Sequence, residues 1–297
     1  MLRLRLKSTL QNMTLLLRIQ PRLLYIFFLV IAVPPVESCA QQAAPHIVPH
    51  SSWVLTWSDE FDGPDGSAPD PAKWILESGG NGWGNNELEY YTARAKNVHQ
   101  QNGKLVIEAI KEQFIGPDGV RRDYTSARLK TQGRFSQRYG RFEARIQVPS
   151  GQGAWSAFWM LGDNCPSKGW PDCGEIDVME SVGKEPDKIQ GSLHGPGYSG
   201  SNPLTSAYRL PRGWFSDSFH VFAVEWEPNV VRFYVDSQLY ATQTPTGLPA
   251  GKPWVYDHPF FVLLNLAVGG DFPGRPRDST VFPQRMLVDY VRVYARK

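Results

Sequence analysis

From Trp53 to the C-terminus the chain is a series of short apolar runs in which Val, Ile, Phe and Tyr return near every second position, and no stretch of a dozen residues carries a 3.6-residue period. Side chains in an extended strand alternate between its two faces, so period two marks half-buried strands. The runs are Lys104–Ile110, Gly140–Val148, His220–Trp226, Val230–Asp236 and Leu287–Tyr294. A sixth, Phe260–Val268 (FFVLLNLAV), is apolar nearly throughout, as expected of a strand covered on both faces. Turn chemistry separates them at Gly116-Pro117-Asp118-Gly119, Glu227-Pro228-Asn229 and Pro249-Ala250-Gly251. There is no linker, repeat or low-complexity segment, so residues 53–297 are expected to form one all-β domain, a sandwich or barrel.

The first forty residues stand outside that domain. Arg3, Arg5, Lys7, Arg18 and Arg22 precede the apolar run Leu23–Val33, and Ser38-Cys39-Ala40 supplies small residues for cleavage. Residues 1–40 thus have the layout of a secretory signal, with an apolar run short for a membrane span. The alternatives are a retained membrane anchor and a lipoprotein modified at Cys39, where Glu37 fits poorly. Residues 41–52 are polar and are expected to be a flexible lead-in. The expected destination is secreted or periplasmic, with no membrane attachment after signal removal and a monomer as the default.

Signal removal also changes the charge. The chain has 31 Lys and Arg against 29 Asp and Glu; residues 1–40 hold five of the former and only Glu37 of the latter. The remainder carries 26 against 28, a net of −2, which disfavours nucleic acid as a partner and suits a neutral substrate. Ten Trp and 12 Tyr supply flat apolar faces with a polar edge, suited to stacking on sugars as well as to core packing. Cys165 and Cys173 are separated by seven residues; in an exported protein they either close this loop as a disulfide or remain two thiols.

Gly174–Ser181, GEIDVMES, places three carboxylates within six residues. In a regular strand Glu175 and Asp177 share a face, and Glu180 points the other way. One extra residue, a bulge at about Val178–Met179, returns Glu180 to the face of the other two. Two carboxyl groups about 5–5.5 Å apart are what a retaining glycosidase uses, one as nucleophile and one as acid/base. Like charges that close raise one pKa and keep that group protonated. A third carboxyl between them can share a proton with the nucleophile. The competing interpretation is an acidic solvated strand edge, against which stand the apolar Ile176, Val178, Met179 and the preceding GQGAWSAFWML (Gly151–Leu161).

With its inserted Met, Glu175–Glu180 resembles the active-site signature of glycoside hydrolase family 16 in its laminarinase-type form. WSDEFDG (Trp57–Gly63), NNELEYYT (Asn85–Thr92), SARLKT (Ser126–Thr131), YGRFEARIQVP (Tyr139–Pro149), GSLHGPGYSG (Gly191–Gly200) and FFVLLNLAVGGDFPG (Phe260–Gly274) follow in the family's order and cover nearly the whole chain after the signal. The resemblance implies a β-jelly-roll of two curved antiparallel sheets with a substrate cleft on the concave face. It implies Glu175 as nucleophile, Glu180 as acid/base and Asp177 as the assisting carboxylate in endo-hydrolysis of β-1,3-glucan with retention, with no cofactor in the chemistry.

Further cleft positions are Asn86 and Glu87 in a Gly-rich turn, Arg128 beside the nucleophile, Trp155 and Trp159 on the strand before the signature, His194 in Leu-His-Gly-Pro-Gly, and Asn265. Each also has a structural alternative: turn formation for Asn86, core packing for the tryptophans, a surface position for Arg128, a buried hydrogen bond for Asn265. The family further implies a structural Ca2+ on the convex face at Glu60, Gly103 and Asp289, residues that could equally be ordinary surface positions. No HExxH pair of histidines is present, which disfavours catalytic zinc. Rival functions are a non-catalytic β-glucan-binding protein, a β-glucan transglycosylase and a mixed-linkage β-1,3-1,4-glucanase. Both Glu residues are present against the first and Met179 stands against the last. No G-x-S-x-G, P-loop or HExxH motif opens another class.

Overall fold

In the computed structural model, the described residues are 52–297. The expected signal segment 1–40 and the lead-in up to residue 51 lie outside them. In chain order the strands are β1 (Trp53–Asp59), β2 (Ile75–Glu77), β3 (Glu89–Tyr91), β4 (Val98–Gln100), β5 (Leu105–Ile115), β6 (Arg121–Ser126), β7 (Arg128–Lys130), β8 (Gly140–Gln147) and β9 (Ala154–Gly162). A one-turn helix, α1 (Cys165–Lys168), precedes β10 (Glu175–Val182), β11 (Lys188–His194), β12 (Leu204–Arg209), β13 (His220–Glu227), β14 (Val230–Val235), β15 (Gln238–Gln243), β16 (Phe260–Val268) and β17 (Gln284–Arg296). The six runs expected from the sequence all appear, and β16 has the expected bounds.

The strands make two facing sheets, the jelly-roll sandwich. One has the order β15-β14-β13-β8-β17-β5-β6-β3, with β1 on β17 and β4 on β5; the other has the order β12-β11-β10-β9-β16-β7-β2. Pairing is antiparallel except for the short β3–β6 contact. The first strand pairs with the last, Trp53 opposite Arg296, which fastens the C-terminal strand into the sheet.

Alternation explains the core. Phe142, Ala144 and Ile146 of β8, Phe222, Val224 and Trp226 of β13 and Val231, Phe233 and Val235 of β14 point inward from one sheet. Phe158 and Met160 of β9, Ile176 of β10 and Val262, Leu264 and Leu266 of β16 meet them from the other. Each such side chain contributes about 1.5–3 kcal/mol on burial. On β11, Gly191 faces this core, and a Cβ there would lie 2.4 Å from Phe233 Cδ1, so the close approach of the sheets requires glycine. The opposite face of the seven-stranded sheet is the floor of the cleft.

Candidate active site

β10 supplies the centre of the cleft floor. Gly174, with φ +71°, turns the chain into the strand in a backbone region that favours glycine. Against β9, Glu175 lies opposite Leu161 and Asp177 opposite Trp159; Met179 then follows opposite Phe158 and Glu180 opposite Ala157. Two residues of β9 thus span three of β10, and the register with β11 slips over the same Asp177–Glu180 interval. This is the expected bulge. Val178 and Met179 both enter the core, and Glu180 rejoins Glu175 and Asp177 on the cleft face.

Each outer carboxylate holds hydrogen-bond donors. Trp170 Nε1 donates to Glu175 Oε2 at 2.7 Å. Trp155 Nε1 donates to Glu180 Oε1 at 3.1 Å, and Gln190 Nε2 to Glu180 Oε2 at 3.2 Å. His194 Nε2 lies 3.0 Å from Asp177 Oδ2 and 3.9 Å from Glu175 Oε1. Burial, then the Asp177 charge, push Glu175 up to about 8. Burial first, then Glu180, hold Asp177 well above the usual carboxylate range, and burial also raises Glu180. Neighbouring buried carboxyls of this kind retain protons at neutral pH. With a proton on Asp177, the like-charge cause of the Glu175 shift disappears, and the Trp170 N–H favours the Glu175 anion.

Toward β16 and β7 the floor is aromatic and cationic. Trp155, Ala157 and Trp159 share the cleft face of β9, and Trp159 Nε1 donates to Asn265 Oδ1 at 2.8 Å. Asn265 Nδ2 reaches Tyr91 Oη at 3.2 Å, and that hydroxyl donates to Glu87 Oε2 at 3.0 Å. Arg128 lies between two indoles, its Cζ 4.7 Å from the ring centres of both Trp83 and Trp159. Its Nε donates to Glu77 Oε2 at 2.6 Å, while Lys130 Nζ holds Glu77 Oε1 at 2.6 Å. Burial opposes the Glu77 charge, but the two cations hold its carboxyl below the usual range. In the turn before β3, Asn86 Nδ2 binds Asp271 Oδ2 at 3.0 Å, so its amide joins that turn to the loop after β16.

The family model described as Glycosyl hydrolases family 16 matches residues 85–291. The chain belongs to glycosyl hydrolases family 16. As in that family, it is a glycoside hydrolase, and its two-sheet fold is the one the family's solved members share. Among its relatives, the beta-glucanase of Rhodothermus marinus is 44% identical over 261 residues, covering 84% of this chain and 86% of the relative. The glucan endo-1,3-beta-glucosidase of Cryptopygus antarcticus is 41% identical over 258 residues, covering 82% and 92%. The X-ray structure of endo-beta-1,3-glucanase from Pyrococcus furiosus superposes with a TM-score of 0.79 at 49% identity, covering 82% of this chain and 95% of that one.

The positions expected from the family 16 resemblance divide in two. Glu175, Asp177, Glu180, His194, Trp155, Trp159, Arg128 and Asn265 share the cleft face of the seven-stranded sheet, and Glu87 joins them through Tyr91. Cys165 and Cys173 are joined as a disulfide with Cα atoms 4.9 Å apart, closing the loop that carries Trp170. The calcium positions do not make a cation site as the side chains stand. Both Glu60 oxygens bind Arg292, at 3.0 and 2.7 Å, and Asp289 Oδ2 binds Arg145 at 2.7 Å. The hydrogen bonds from Arg292 hold the Glu60 carboxyl below its ordinary range. An ion that takes six to eight oxygen ligands would meet guanidinium groups there.

Sequence reasoning missed Trp170, Gln190, Tyr91, Glu77 and Lys130 as parts of this cleft. Gln190, Ser192 and His194 alternate along β11 opposite Glu180, Asp177 and Glu175, so period two outward from His194 was the available signal. Trp170 stands five residues before Glu175 in an irregular loop, and Glu77 ends a three-residue strand; neither has a periodicity to read.

Proposed function

We propose that this chain is an exported, endo-acting β-1,3-glucan hydrolase that retains anomeric configuration, with residues 53–297 as its catalytic domain. Membership of family 16 and relatives named for β-glucan hydrolysis support the substrate class. The observation that carries the mechanism is the bulge, which leaves three buried carboxyls side by side on the cleft face. In the proposed reaction the Glu175 carboxylate attacks the anomeric carbon while Glu180 protonates the departing glycosidic oxygen. Glu180 then takes a proton from water, whose oxygen displaces Glu175 from the same face, and two inversions give retention. Asp177 keeps its proton toward Glu175 in the resting state. The Trp83, Arg128 and Trp159 stack and the Asn265 amide offer apolar faces and polar edges to glucosyl rings. Calcium at Glu60, Gly103 and Asp289 would have to displace Arg292 and Arg145, and it enters no step. Among the described residues no helix is long and apolar enough to cross a membrane.

Proton NMR during digestion of a soluble β-1,3-glucan tests the proposal. The β-anomer is expected to appear first, at internal cuts. Glu175→Gln should abolish turnover of every substrate. Glu180→Gln should keep activity on aryl glycosides with good leaving groups and lose it on polysaccharide. Initial release of the α-anomer, or polysaccharide cleavage by Glu180→Gln near the unsubstituted rate, would refute the assignment.

A further inference from the structure

The three donors at the head of β10 and the end of β11 have an arrangement that hydrolysis does not account for. Asp177 is 3% exposed, and its Oδ2 has no hydrogen-bond partner among the described residues, although His194 Nε2 lies 3.0 Å away. The contact lacks hydrogen-bond alignment, so the two atoms converge without a proton well placed between them. Glu175 turns Oε2 to Trp170 and leaves Oε1 on the same side, 3.9 Å from His194 Nε2. All three donors lie within 4.8 Å of one another, and theirs is the group of this kind found among the described residues.

Metal-ligand bonds of about 2.0–2.2 Å place two tetrahedral ligands about 3.3–3.6 Å apart. The separations of 3.0 and 3.9 Å bracket that edge, and the edge between the two carboxylates lies within 4.8 Å, so side-chain adjustment brings the three donors around one ion. One imidazole and two carboxylates with a position open to the cleft suit zinc and its neighbours, whereas calcium seeks more oxygens than these three side chains offer. A divalent cation would also favour release of the protons that these buried carboxyls retain, and would neutralise the two carboxylates so formed.

We propose that Glu175 Oε1, Asp177 Oδ2 and His194 Nε2 form an inhibitory site for a divalent transition-metal ion of the zinc type. The ion occupies the carboxylates the substrate needs, so metal and glucan exclude each other. Binding is reversible: His194 Nδ1 has no acceptor to orient the ring and strengthen the ligand, and such partners are worth 10–100-fold in affinity. The site rests on donor geometry alone, independently of which glucan is cleaved.

Calorimetric titration of the chelator-treated full chain carrying Cys39→Ser with Zn2+ tests this, since the other two cysteines are already bonded. One ion per chain is expected, weakened at least tenfold by Asp177→Asn and by His194→Gln, with no heat from equimolar Ca2+ or Mg2+. Imidazole nitrogen NMR of the same chain without those two substitutions should show Zn2+ moving His194 and leaving the other five, His46, His50, His99, His220 and His258, in place. This reading does not depend on the variants folding. In the glucan assay, Zn2+ should raise KM at least tenfold and leave kcat unchanged. Zinc binding that survives both substitutions, shifts confined to other histidines, or a fall in kcat at constant KM would overturn the proposal. A chain that binds zinc as described and cleaves no β-glucan would leave this site standing and overturn the hydrolytic reading instead.

Discussion

Replacing Glu175 with Gln is expected to stabilise the fold at alkaline pH while removing activity. Glu175 has a pKa of about 8 in the folded protein against an ordinary 4.5, because burial, then Asp177, disfavour its charge. A carboxyl whose folded pKa lies above its unfolded pKa holds its proton after the unfolded chain has released it. The contribution of this group to stability is therefore fully present below pH 4.5 and is lost as pH rises toward 8, where folding must bury the anion. At about 1.4 kcal/mol per pH unit the full effect is about 5 kcal/mol. Part of it belongs to Asp177, which ionises more readily once Glu175 is an amide, so the net gain is about 2–4 kcal/mol. The Gln side chain can still accept the Trp170 N–H. Urea unfolding of both proteins in chelator at pH 4, 6 and 8.5 reads the difference, and groups common to both cancel. The curves should coincide at pH 4 and diverge above it, with Glu175→Gln the more stable. Parallel curves, or a variant less stable at pH 8.5, would refute the assignment of the cost to burial of the Glu175 charge.

Two further predictions concern elements that hold the cleft in place. Cys165→Ser with Cys173→Ser opens a short loop and should cost about 2–3 kcal/mol by chain entropy; kcat/KM should fall with it, because the loop carries the Trp170 N–H to Glu175. Unchanged urea midpoints with and without reductant would show that the bond contributes nothing. Glu89 is fully buried, accepts the Val268 N–H at 2.6 Å and has its pKa raised well above the usual range by burial, then by Glu87. Glu89→Gln should therefore match the unsubstituted stability at pH 7, while Glu89→Ala orphans a buried N–H and should cost about 1–3 kcal/mol plus the cavity. Equal losses in the two variants, measured by urea unfolding, would show that Glu89 acts as an anion.

Strands with a strong two-residue period were legible in the sequence, and those without one were not. β16 and β14 carry their own alternation or continuous burial, so counting apolar residues located them. β5 extends to Ile115, five residues beyond the apolar run, because pairing with β6 continues at Lys111 and, after an irregularity at Glu112 and Gln113, resumes at Phe114 and Ile115. A polar hairpin has no core to announce it. β2, β3 and β7 have three residues each and owe their conformation to neighbours, Leu129 pairing with both Leu76 and Leu264. Arg128 was recognised through resemblance; its place between two indoles depends on Trp83, which arrives from a distant loop. The calcium positions show the converse: resemblance singled out Glu60 and Asp289, while the arginines that engage them lie 232 and 144 positions away in sequence.

The bulge links stability to chemistry at one point in the chain. β10 has to bury Ile176, Val178 and Met179, and those three cannot share a face of a regular strand, since Val178 and Met179 are consecutive. A regular strand would send both Met179 and Glu180 to the wrong side, and turning a carboxyl into this core costs more than the ladder bonds a bulge gives up. The core thus selects the bulge without reference to catalysis. The carboxyls it gathers on the cleft face are then desolvated among the neighbouring Trp155, Trp159 and Trp170, and burial raises all three pKa values, the direction an acid working near neutral pH requires. Hydrophobic packing on one side of a strand and acid–base chemistry on the other are consequences of the same extra residue. The stability forfeited by burying Glu175 as an anion is therefore the cost of a reactive site, which is why its amide variant should be the more stable and the inactive one.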